Sequence, residues 1–334
     1  MNKQLALKQL CGLALLGFCD RVPAAKPMLK RWGLRTSPEW FGRRIVRVQM
    51  PGARTFKLAS LGENYLSFEL FWKGGDYYEP ITMLLMGQLV RDADTFIDVG
   101  ANIGFYTIVT ALGRPELNII AFEPNPKNFR SLSANLEANQ LERVHCEALA
   151  LSDREGTAAL HLSPSDMSAS LEADFEGLRG PVLPVPRTTL DAYLAQHPRP
   201  GRLVLKVDVE GHEPAFLRGA SQTIANRKPD IILEVTGPMD RERAAFLKDT
   251  GYAFYQITDQ GLQRADELTL VVRGRFLFLN YLLSARPAAE VAALFKCIEP
   301  RVRRLDLTRT SKCVAPEMIE RLRDRQATAL AAAA

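Results

Sequence analysis

The chain has 334 residues, of which 47% are apolar and 24% are charged, a composition typical of soluble globular proteins. Its length suits one large α/β domain with additions, or two small domains. The five cysteines are scattered and form no C-x-x-C pair, which argues against a disulfide framework or a structural zinc site and favours a reducing cytoplasm.

The charge is unevenly distributed along the chain. Residues 1–60 contain twelve Lys or Arg and two Asp or Glu, a net +10, whereas residues 61–285 carry 21 and 30, a net −9. Residues 286–334 contain ten Lys or Arg and six Asp or Glu, a net +4. A basic extension on an acidic body predicts either an anionic partner (lipid, glycan or nucleic acid) or a solvated basic face.

The first 50 residues predict a basic, helical lead-in that is interrupted at Pro23, Pro27 and Pro38. Its apolar run at 10–18 faintly resembles a secretory signal, but it is shorter than the roughly 20 residues that a membrane-spanning helix needs. It therefore predicts an amphipathic helix that lies on the body of the protein or on a membrane surface.

Short strands are predicted at 55–61 and 65–71, and a helix at 79–90 begins with Pro80 in its first turn. Beyond residue 95, strands alternate with helices. We predict strands at 95–99, 118–122, 144–150, 202–209, 230–235, 252–257 and 268–272. We predict helices from about 104 and at 126–139, 188–195, 213–226 and 239–250.

This alternation predicts the α/β class, with a mainly parallel, doubly wound sheet and helices on both faces. The Ser-, Pro- and Gly-rich segment 156–187 is irregular or contains a hairpin. We predict three regions: a basic extension and lead-in at 1–73, the α/β domain at 74–285, and a helical tail at 286–334 that ends in an alanine run.

The turn after the first strand of this domain indicates its ligand. It reads Asp98-Val-Gly100-Ala-Asn102-Ile-Gly104 and lacks the G-x-G-x-x-G spacing that holds a dinucleotide pyrophosphate. The Asp98 carboxylate repels a pyrophosphate and attracts an ammonium group, as in S-adenosylmethionine. The alternative is that Asp98 and Asn102 only cap the following helix.

The second strand supports the cofactor interpretation. Glu123 lies at the carboxyl end of this strand, where a carboxylate can accept both hydroxyl groups of a ribose. After the third strand, Asp153 is placed either to read an adenine amino group or to begin a turn that includes Gly156.

Five segments together resemble the FkbM-type S-adenosylmethionine-dependent methyltransferases: "IDVGANIGFYT", "FEPNP", "ALSDREG", "TTLD" and "LKVDVEGHEPAFLRGA". The lead-in "GGDYYEP" is also similar, so that the resemblance covers roughly residues 74–280. It implies a class I Rossmann-like methyltransferase fold and O-methylation of sugar or natural-product hydroxyls. It also implies that the cofactor is bound by Asp98, Gly100, Asn102, Gly104 and Glu123.

The last of these segments carries the candidate catalytic residues. Asp208 follows a buried strand, and Glu210 and His212 lie in the turn into the next helix. Methyl transfer needs an aligned nucleophile and removal of its proton, and His212 has an ordinary pKa that suits a base near neutral pH. Alternatively, Glu210 and His212 cap the helix while Asp208 orients the loop.

A metal-assisted variant is also compatible with the residues. Asp208, His212 and Glu234 offer oxygen and nitrogen ligands that could converge on Mg²⁺ and position a substrate diol. Tyr77, Tyr78 and Glu79 either cover the site or pack a lead-in helix against the sheet.

The sequence thus predicts a cytoplasmic O-methyltransferase that acts on a small molecule, a glycan or a glycolipid. Its basic extension predicts peripheral, salt-sensitive membrane contact. The alternatives are a dinucleotide oxidoreductase, a non-catalytic S-adenosylmethionine-binding module and an RNA methyltransferase. An aromatic-interleaved basic patch is absent from the sequence, so a nucleic acid partner is not expected. The oligomeric state is left open.

Overall fold

A computed structural model describes the chain over residues 3–21, 26–42, 44–50, 55–163, 169–173, 175, 180–236, 241–273 and 276–311. Its helices are α1 (Lys3–Arg21), α2 (Lys26–Gly33), α3 (Tyr65–Lys73), α4 (Pro80–Leu89), α5 (Phe105–Gly113), α6 (Pro126–Ala138), α7 (Leu190–Gln196), α8 (Glu213–Gly219), α9 (Ser221–Arg227), α10 (Arg241–Asp249) and α11 (Ala288–Val302). The part of the predicted helical tail beyond residue 311 lies outside the described residues.

The strands in chain order are β1 (Val46–Gln49), β2 (Thr55–Leu58), β3 (Thr95–Val99), β4 (Asn118–Phe122), β5 (Val144–Glu147), β6 (Ala150–Leu151), β7 (Gly156–Leu162), β8 (Ala169–Ser170), β9 (Val182–Thr188), β10 (Leu203–Val207), β11 (Asp230–Glu234), β12 (Ala253–Thr258), β13 (Gly261–Ala265), β14 (Val271–Arg273), β15 (Phe276–Phe278) and β16 (Asn280–Ser284).

Eight strands form the central sheet in the order β13-β12-β16-β11-β10-β3-β4-β5. The five neighbours from β11 to β5 are parallel, and β16 lies antiparallel between β11 and β12. The strand order reverses at β3, which places a topological switch point beside its carboxyl end. The predicted mainly parallel, doubly wound α/β fold is confirmed.

The residues of the central strands point alternately into two apolar layers. Phe96, Val204 and Ile232 belong to the layer that contains residues of α3 to α6, while Ile97 and Leu205 belong to the layer that contains residues of α7 to α10. Burial of each large aliphatic or aromatic side chain stabilises the fold by about 1.5–3 kcal/mol. Two filled layers hold the strand ends, and hence the site, in fixed positions.

The predicted strand at 65–71 is wrong, because this run is helix α3. The Asn64 side chain caps the helix by accepting hydrogen bonds from the Leu66 and Ser67 amides at 2.8 and 3.4 Å, and Gly74 ends it at a φ of 91°. Aromatic residues raise strand propensity locally, but the cap and the burial of one helical face decide the conformation.

Three further predictions are corrected. The predicted strand 144–150 is divided between β5 in the central sheet and β6 in a separate four-stranded sheet, β6-β9-β7-β8. The predicted helix 213–226 consists of α8 and α9. The predicted closing strand 268–272 contributes only to the small β14–β15 pair, and the sheet is closed instead by β16. Segment 156–187 contains the antiparallel β7–β8 and β7–β9 pairs, in agreement with the hairpin alternative predicted for it.

The lead-in packs on the body. Leu15 and Leu16 of α1 are buried in the same apolar layer as Phe41 and Phe68. Among the described residues, every helix is too short or too polar to cross a bilayer. The division of the chain at residues 73 and 285 stays a prediction.

Candidate active site

A cavity of about 220 Å³ opens at the carboxyl ends of β3, β4 and β10, the edge at which doubly wound sheets bind ligands. Seven of the ten candidate residues from the sequence line it: Asp98, Gly100, Asn102, Glu123, Asp208, Glu210 and His212. The other three, Gly104, Asp153 and Glu234, do not contribute to its lining.

Gly100 lets two strand ends approach closely. Its φ is 79°, and a Cβ atom there would lie 1.8 Å from the carbonyl oxygen of Asp208. Any side chain at this position would separate β3 from the residue that follows β10. The Asp98 and Asp208 carboxyl groups therefore depend on this glycine for their common place at the cavity.

Asp98 is a buried carboxyl group beside the turn. Its Oδ2 accepts a 2.5 Å hydrogen bond from the Thr107 hydroxyl of α5. Burial raises its pKa to about 6, although the Thr107 hydrogen bond and the Lys206 ammonium act in the opposite direction. A cationic ligand would restore the charged form, because an opposite charge nearby favours ionisation.

Glu123 is oriented by two backbone amides. Oε2 accepts from the Asn102 amide at 2.7 Å, and Oε1 accepts from the Asn125 amide at 2.8 Å. Each carboxylate oxygen can still accept a second hydrogen bond, so both are available to a diol. Burial raises the pKa of Glu123 to about 7, although the two amide hydrogen bonds lower it.

A buried lysine occupies the centre of the remaining acidic residues. Lys206 of β10 is 1% exposed. Its Nζ lies 3.5 Å from Asp208 Oδ2 and 3.8 Å from Glu234 Oε2. Burial alone would lower the pKa of Lys206, but the negative charges of Asp208, Glu79, Glu234 and Asp98 outweigh it and raise the pKa. The lysine is thus held in its charged form.

His212 is held between two side chains. Its Nδ1 lies 2.6 Å from Glu172 Oε1, and its Nε2 lies 2.9 Å from Ser152 Oγ. The Ser152 hydroxyl also lies 3.2 Å from Asp153 Oδ1, to which it can donate its proton. Both ring nitrogens are therefore engaged with protein side chains in this arrangement.

The turn that contains Glu210 is also anchored through the backbone. Glu210 has a φ of 52°, and its carbonyl oxygen accepts a 2.6 Å hydrogen bond from the Ser170 hydroxyl of β8. The small four-stranded sheet thereby supports one wall of the cavity.

Two residues that the resemblance or the strand pattern assigned to the cofactor have structural contacts instead. Gly104 precedes α5 with a φ of 86°, and a Cβ atom there would lie 2.4 Å from Leu132 Cδ1, so it allows α5 to pack on α6. The Asp153 carboxylate faces Arg187 at 3.9 Å and Arg218 at 3.8 Å. In this position it contacts basic side chains outside the cavity.

The three candidate metal ligands do not converge. The Lys206 ammonium contacts both Asp208 and Glu234, and His212 uses its nitrogens elsewhere. Across the described residues, we find no group of three His, Cys, Asp or Glu side chains that could hold a metal ion. The donor geometry therefore does not fit the Mg²⁺ site considered from the sequence.

The lead-in supplies a wall of the cavity. Tyr78, one of the three residues considered as a cover, lines it together with Tyr65 and Glu69 of α3. The Tyr78 ring makes an edge contact with Phe105 of α5. Glu79 does not line the cavity and is buried. Its carboxylate accepts hydrogen bonds from the Tyr106 hydroxyl and the Asn280 amide at 2.7 and 2.6 Å.

Comparison with known proteins relates most of the cavity lining to a methyltransferase domain. Residues 98–257 match the family model of the methyltransferase FkbM domain. The chain is 27% identical over 176 residues to the hexuronic acid methyltransferase AglP of Haloferax volcanii, with 52% of this chain and 70% of that protein covered. It is 28% identical over 226 residues to the 31-O-demethyl-FK506 methyltransferase FkbM of Streptomyces tacrolimicus, with 57% and 82% covered.

Among solved structures, the crystal structure of a methyltransferase FkbM from Methylobacillus flagellatus aligns with a TM-score of 0.39 and 16% identity. That alignment covers 67% of this chain and 54% of the other. The sequence-level resemblance is confirmed by the family match, which begins at Asp98 and includes Glu123, Asp208 and His212. Residues 98–257, just under half of this chain, match the methyltransferase FkbM domain.

Proposed function

We propose that the protein is an S-adenosylmethionine-dependent O-methyltransferase whose acceptor is a hydroxyl of a saccharide, a glycolipid or a secondary metabolite. The observation that carries the proposal is a pair of buried carboxyl groups, Asp98 and Glu123, whose pKa values burial raises to about 6 and about 7 at one end of a cavity. Asp208 lines the same cavity and directly follows β10, the strand that pairs with the Asp98 strand β3.

The two carboxyl groups match two polar parts of S-adenosylmethionine, the amino group of its methionine part and the ribose of its adenosine part. Asp98 can pair with the α-amino group, and Glu123 can accept the ribose hydroxyls. The Asp98 carboxylate disfavours a dinucleotide, because it would repel the pyrophosphate, and Asn102 and Phe105 stand at the second and third glycine positions of G-x-G-x-x-G. The oxidoreductase alternative is therefore less compatible with this site.

Asp208 is the candidate base. Its carboxylate lines the cavity and remains 20% exposed, so a substrate can reach it. His212 lacks a free ring nitrogen in this arrangement. We therefore assign removal of the acceptor proton to Asp208 and the orientation of the turn to His212 and Glu210.

The acceptor class rests on the relatives. One is named for a hexuronic acid and another for 31-O-demethyl-FK506. Both names are compatible with a hydroxyl-bearing acceptor.

Binding and turnover test the proposal in two steps. Isothermal titration should show that S-adenosylhomocysteine binds and that NAD does not; the opposite preference would support an oxidoreductase. The protein is then incubated with methyl-labelled S-adenosylmethionine and separate extracts of host glycans, lipids, small metabolites and total RNA. Label in the glycan, lipid or metabolite extract supports the proposal. Label confined to RNA supports an RNA methyltransferase, and cofactor binding without any transfer supports a non-catalytic module.

We further propose that the lead-in holds the enzyme at an anionic membrane surface. On α2, Met28 is 83% exposed and Trp32 is 48% exposed, beside the basic residues Lys30 and Arg31. Basic residues near such a surface contribute about 1 kcal/mol each, and exposed apolar side chains add a shallow contact. This surface is placed to bring a cytoplasmic enzyme close to a lipid-linked glycan.

Vesicle sedimentation tests this location. Full-length protein should sediment with vesicles of anionic phospholipid, less so as salt rises, and replacement of both Met28 and Trp32 by Ser should weaken sedimentation at every salt concentration. A matched replacement of the exposed Leu112, which is 42% exposed on α5, should have no effect. Absence of full-length protein from the vesicle pellet at low salt would exclude the membrane proposal without affecting the methyltransferase proposal.

A further inference from the structure

The buried ammonium group of Lys206 has no assigned role. It lines the cavity, and among the described residues its Nζ finds no hydrogen-bond acceptor within bonding distance. The Asp208 and Glu234 oxygens lie at 3.5 and 3.8 Å, which is at or beyond the limit of an N–H···O hydrogen bond. The Tyr106 ring, at 5.4 Å, adds a cation–π contact.

An arrangement of this kind is unfavourable in the empty protein. Buried polar groups nearly always have a hydrogen-bond partner, and a buried charge without one is costly even when counter-charges are near. Lys206 nevertheless stays charged, because the surrounding carboxylates raise its pKa. Its free N–H donors therefore point to an oxygen atom that a ligand supplies.

The position of Lys206 in the sheet relates it to the proposed cofactor site. Its Cα pairs with that of Asp98 on the neighbouring strand β3. Asp208 lies two residues beyond Lys206. Because side chains alternate between the two faces of a strand, Asp208 and Lys206 lie on the same face of the sheet. An oxygen atom between Lys206 and Asp208 thus lies beside the place where the proposed cofactor's charged end binds.

A hydroxyl group satisfies both neighbours at once. It can accept a hydrogen bond from the ammonium group and donate one to the Asp208 carboxylate. A carboxylate acceptor can only accept, and it would be repelled by Asp208. The pair therefore selects an alcohol as the methyl acceptor.

We propose that Lys206 is a catalytic residue that, together with Asp208, activates the acceptor alcohol: Lys206 donates a hydrogen bond to the nucleophilic oxygen while Asp208 accepts its proton. The oxygen then attacks the methyl carbon of S-adenosylmethionine. The new O–CH₃ bond forms as the C–S⁺ bond breaks, its electron pair returns to sulfur to give S-adenosylhomocysteine, and the proton resides on Asp208. Lys206 stabilises the negative charge that develops on the oxygen.

This inference rests on the proposed methyltransferase function, and the test separates the two. Single-turnover transfer of labelled methyl is measured with the unfractionated host glycan, lipid and metabolite extracts as acceptors, for wild type, Lys206→Met and Lys206→Arg. Lys248→Met is the control, because Lys248 is exposed on α10. Titration with S-adenosylhomocysteine reports on folding and cofactor binding independently of any acceptor.

Lys206→Met should lower the transfer rate by about 100-fold or more, the usual effect of removing one donor to a developing oxyanion. Its affinity for S-adenosylhomocysteine should change by less than about threefold, and Lys206→Arg should recover part of the rate. Transfer by Lys206→Met at the wild-type rate overturns the inference alone. If Lys206→Met loses rate and cofactor affinity together, and Lys206→Arg restores neither, then Lys206 has a structural role. This result also overturns the inference.

If wild type binds the cofactor but labels none of the three extracts, the proposed function fails and the inference fails with it. If Lys206→Met does not fold, Lys206→Gln, which keeps an uncharged N–H donor, replaces it. A Lys206→Gln rate between those of wild type and Asp208→Asn supports the inference, and a rate equal to wild type contradicts it.

Discussion

The substitution Asp98→Asn separates the stability of the empty protein from its ability to bind a cofactor. Burial raises the Asp98 pKa from 3.8 to about 6, and at 1.36 kcal/mol per pH unit this gap corresponds to about 3 kcal/mol. Because the pKa is raised in the folded protein, the protonated carboxyl stabilises the fold below about pH 4. That contribution is lost as the pH rises through about 6.

Asparagine has the shape of the protonated acid and no charge to bury. Its amide oxygen can still accept the hydrogen bond from the Thr107 hydroxyl, which now reaches Oδ2 at 2.5 Å. We therefore expect the free energy of unfolding of the ligand-free variant to exceed that of wild type by up to about 3 kcal/mol at pH 8. At pH 4 the difference should be below about 1 kcal/mol.

Cofactor binding should change in the opposite sense. Loss of a charge-assisted hydrogen bond to the amino group weakens S-adenosylhomocysteine binding by about 1–3 kcal/mol. Urea denaturation at pH 4, 6 and 8 measures the first effect, and calorimetric titration at pH 8 measures the second. Asp259→Asn, at an exposed position in the turn between β12 and β13, is the control. A variant less stable than wild type at pH 8, or one that binds the ligand with unchanged affinity, refutes the reasoning.

Three other substitutions test the remaining contacts. Glu123→Ala should weaken S-adenosylhomocysteine binding by at least about 1–3 kcal/mol, and unchanged affinity in calorimetry would remove Glu123 from the cofactor site. Gly100→Ala should destabilise the fold by more than about 2 kcal/mol in urea denaturation, because its φ is 79° and its Cβ would overlap the Asp208 carbonyl. Gly87→Ala in α4, where a Cβ meets no atom within 4 Å, should leave the fold intact. His212→Ala should retain more turnover than Asp208→Asn in a labelled-methyl assay, and the reverse order would return the role of base to His212.

The cofactor end of the site was predictable from the sequence because its residues follow strand ends. Asp98 and Glu123 each lie at the carboxyl end of a short apolar run, and parallel strands bring such positions to one edge. Asp208 was found in the same way. For each of these residues, the local sequence pattern and the topology of the sheet both predict a position at the carboxyl edge.

Lys206 was missed because it stands inside an apolar strand. In "RLVLKVDV", a single lysine is compatible with a side chain that extends its ammonium group to solvent. Only the pairing of Lys206 with Asp98 across β3 and β10 shows that it points into the cavity. Sequence periodicity places Lys206 on a face of the strand but does not determine what lies opposite.

Contacts between distant parts of the chain explain the other omissions. Glu172, which engages His212, lies in the segment 156–187, for which the composition predicts either irregular structure or a hairpin and indicates no partner. The strand β16 was missed, although its Asn280 donates to Glu79, 201 residues away. Neither partner carries a local signal for the other, so the sequence gives no means of pairing them.

The charged residues of the cavity lower the stability of the empty protein, and their arrangement explains why they can persist. Asp98 and Lys206 each lie one residue before the end of a fully buried strand, directly after the apolar residues Ile97 and Leu205. Two apolar layers hold these strands against local rearrangement, so Asp98 and Lys206 cannot move apart to find water. A ligand that brings a positive charge to Asp98 and a hydroxyl to Lys206 and Asp208 relieves both costs. Burial of these charged groups therefore favours binding of a cationic cofactor together with an alcohol.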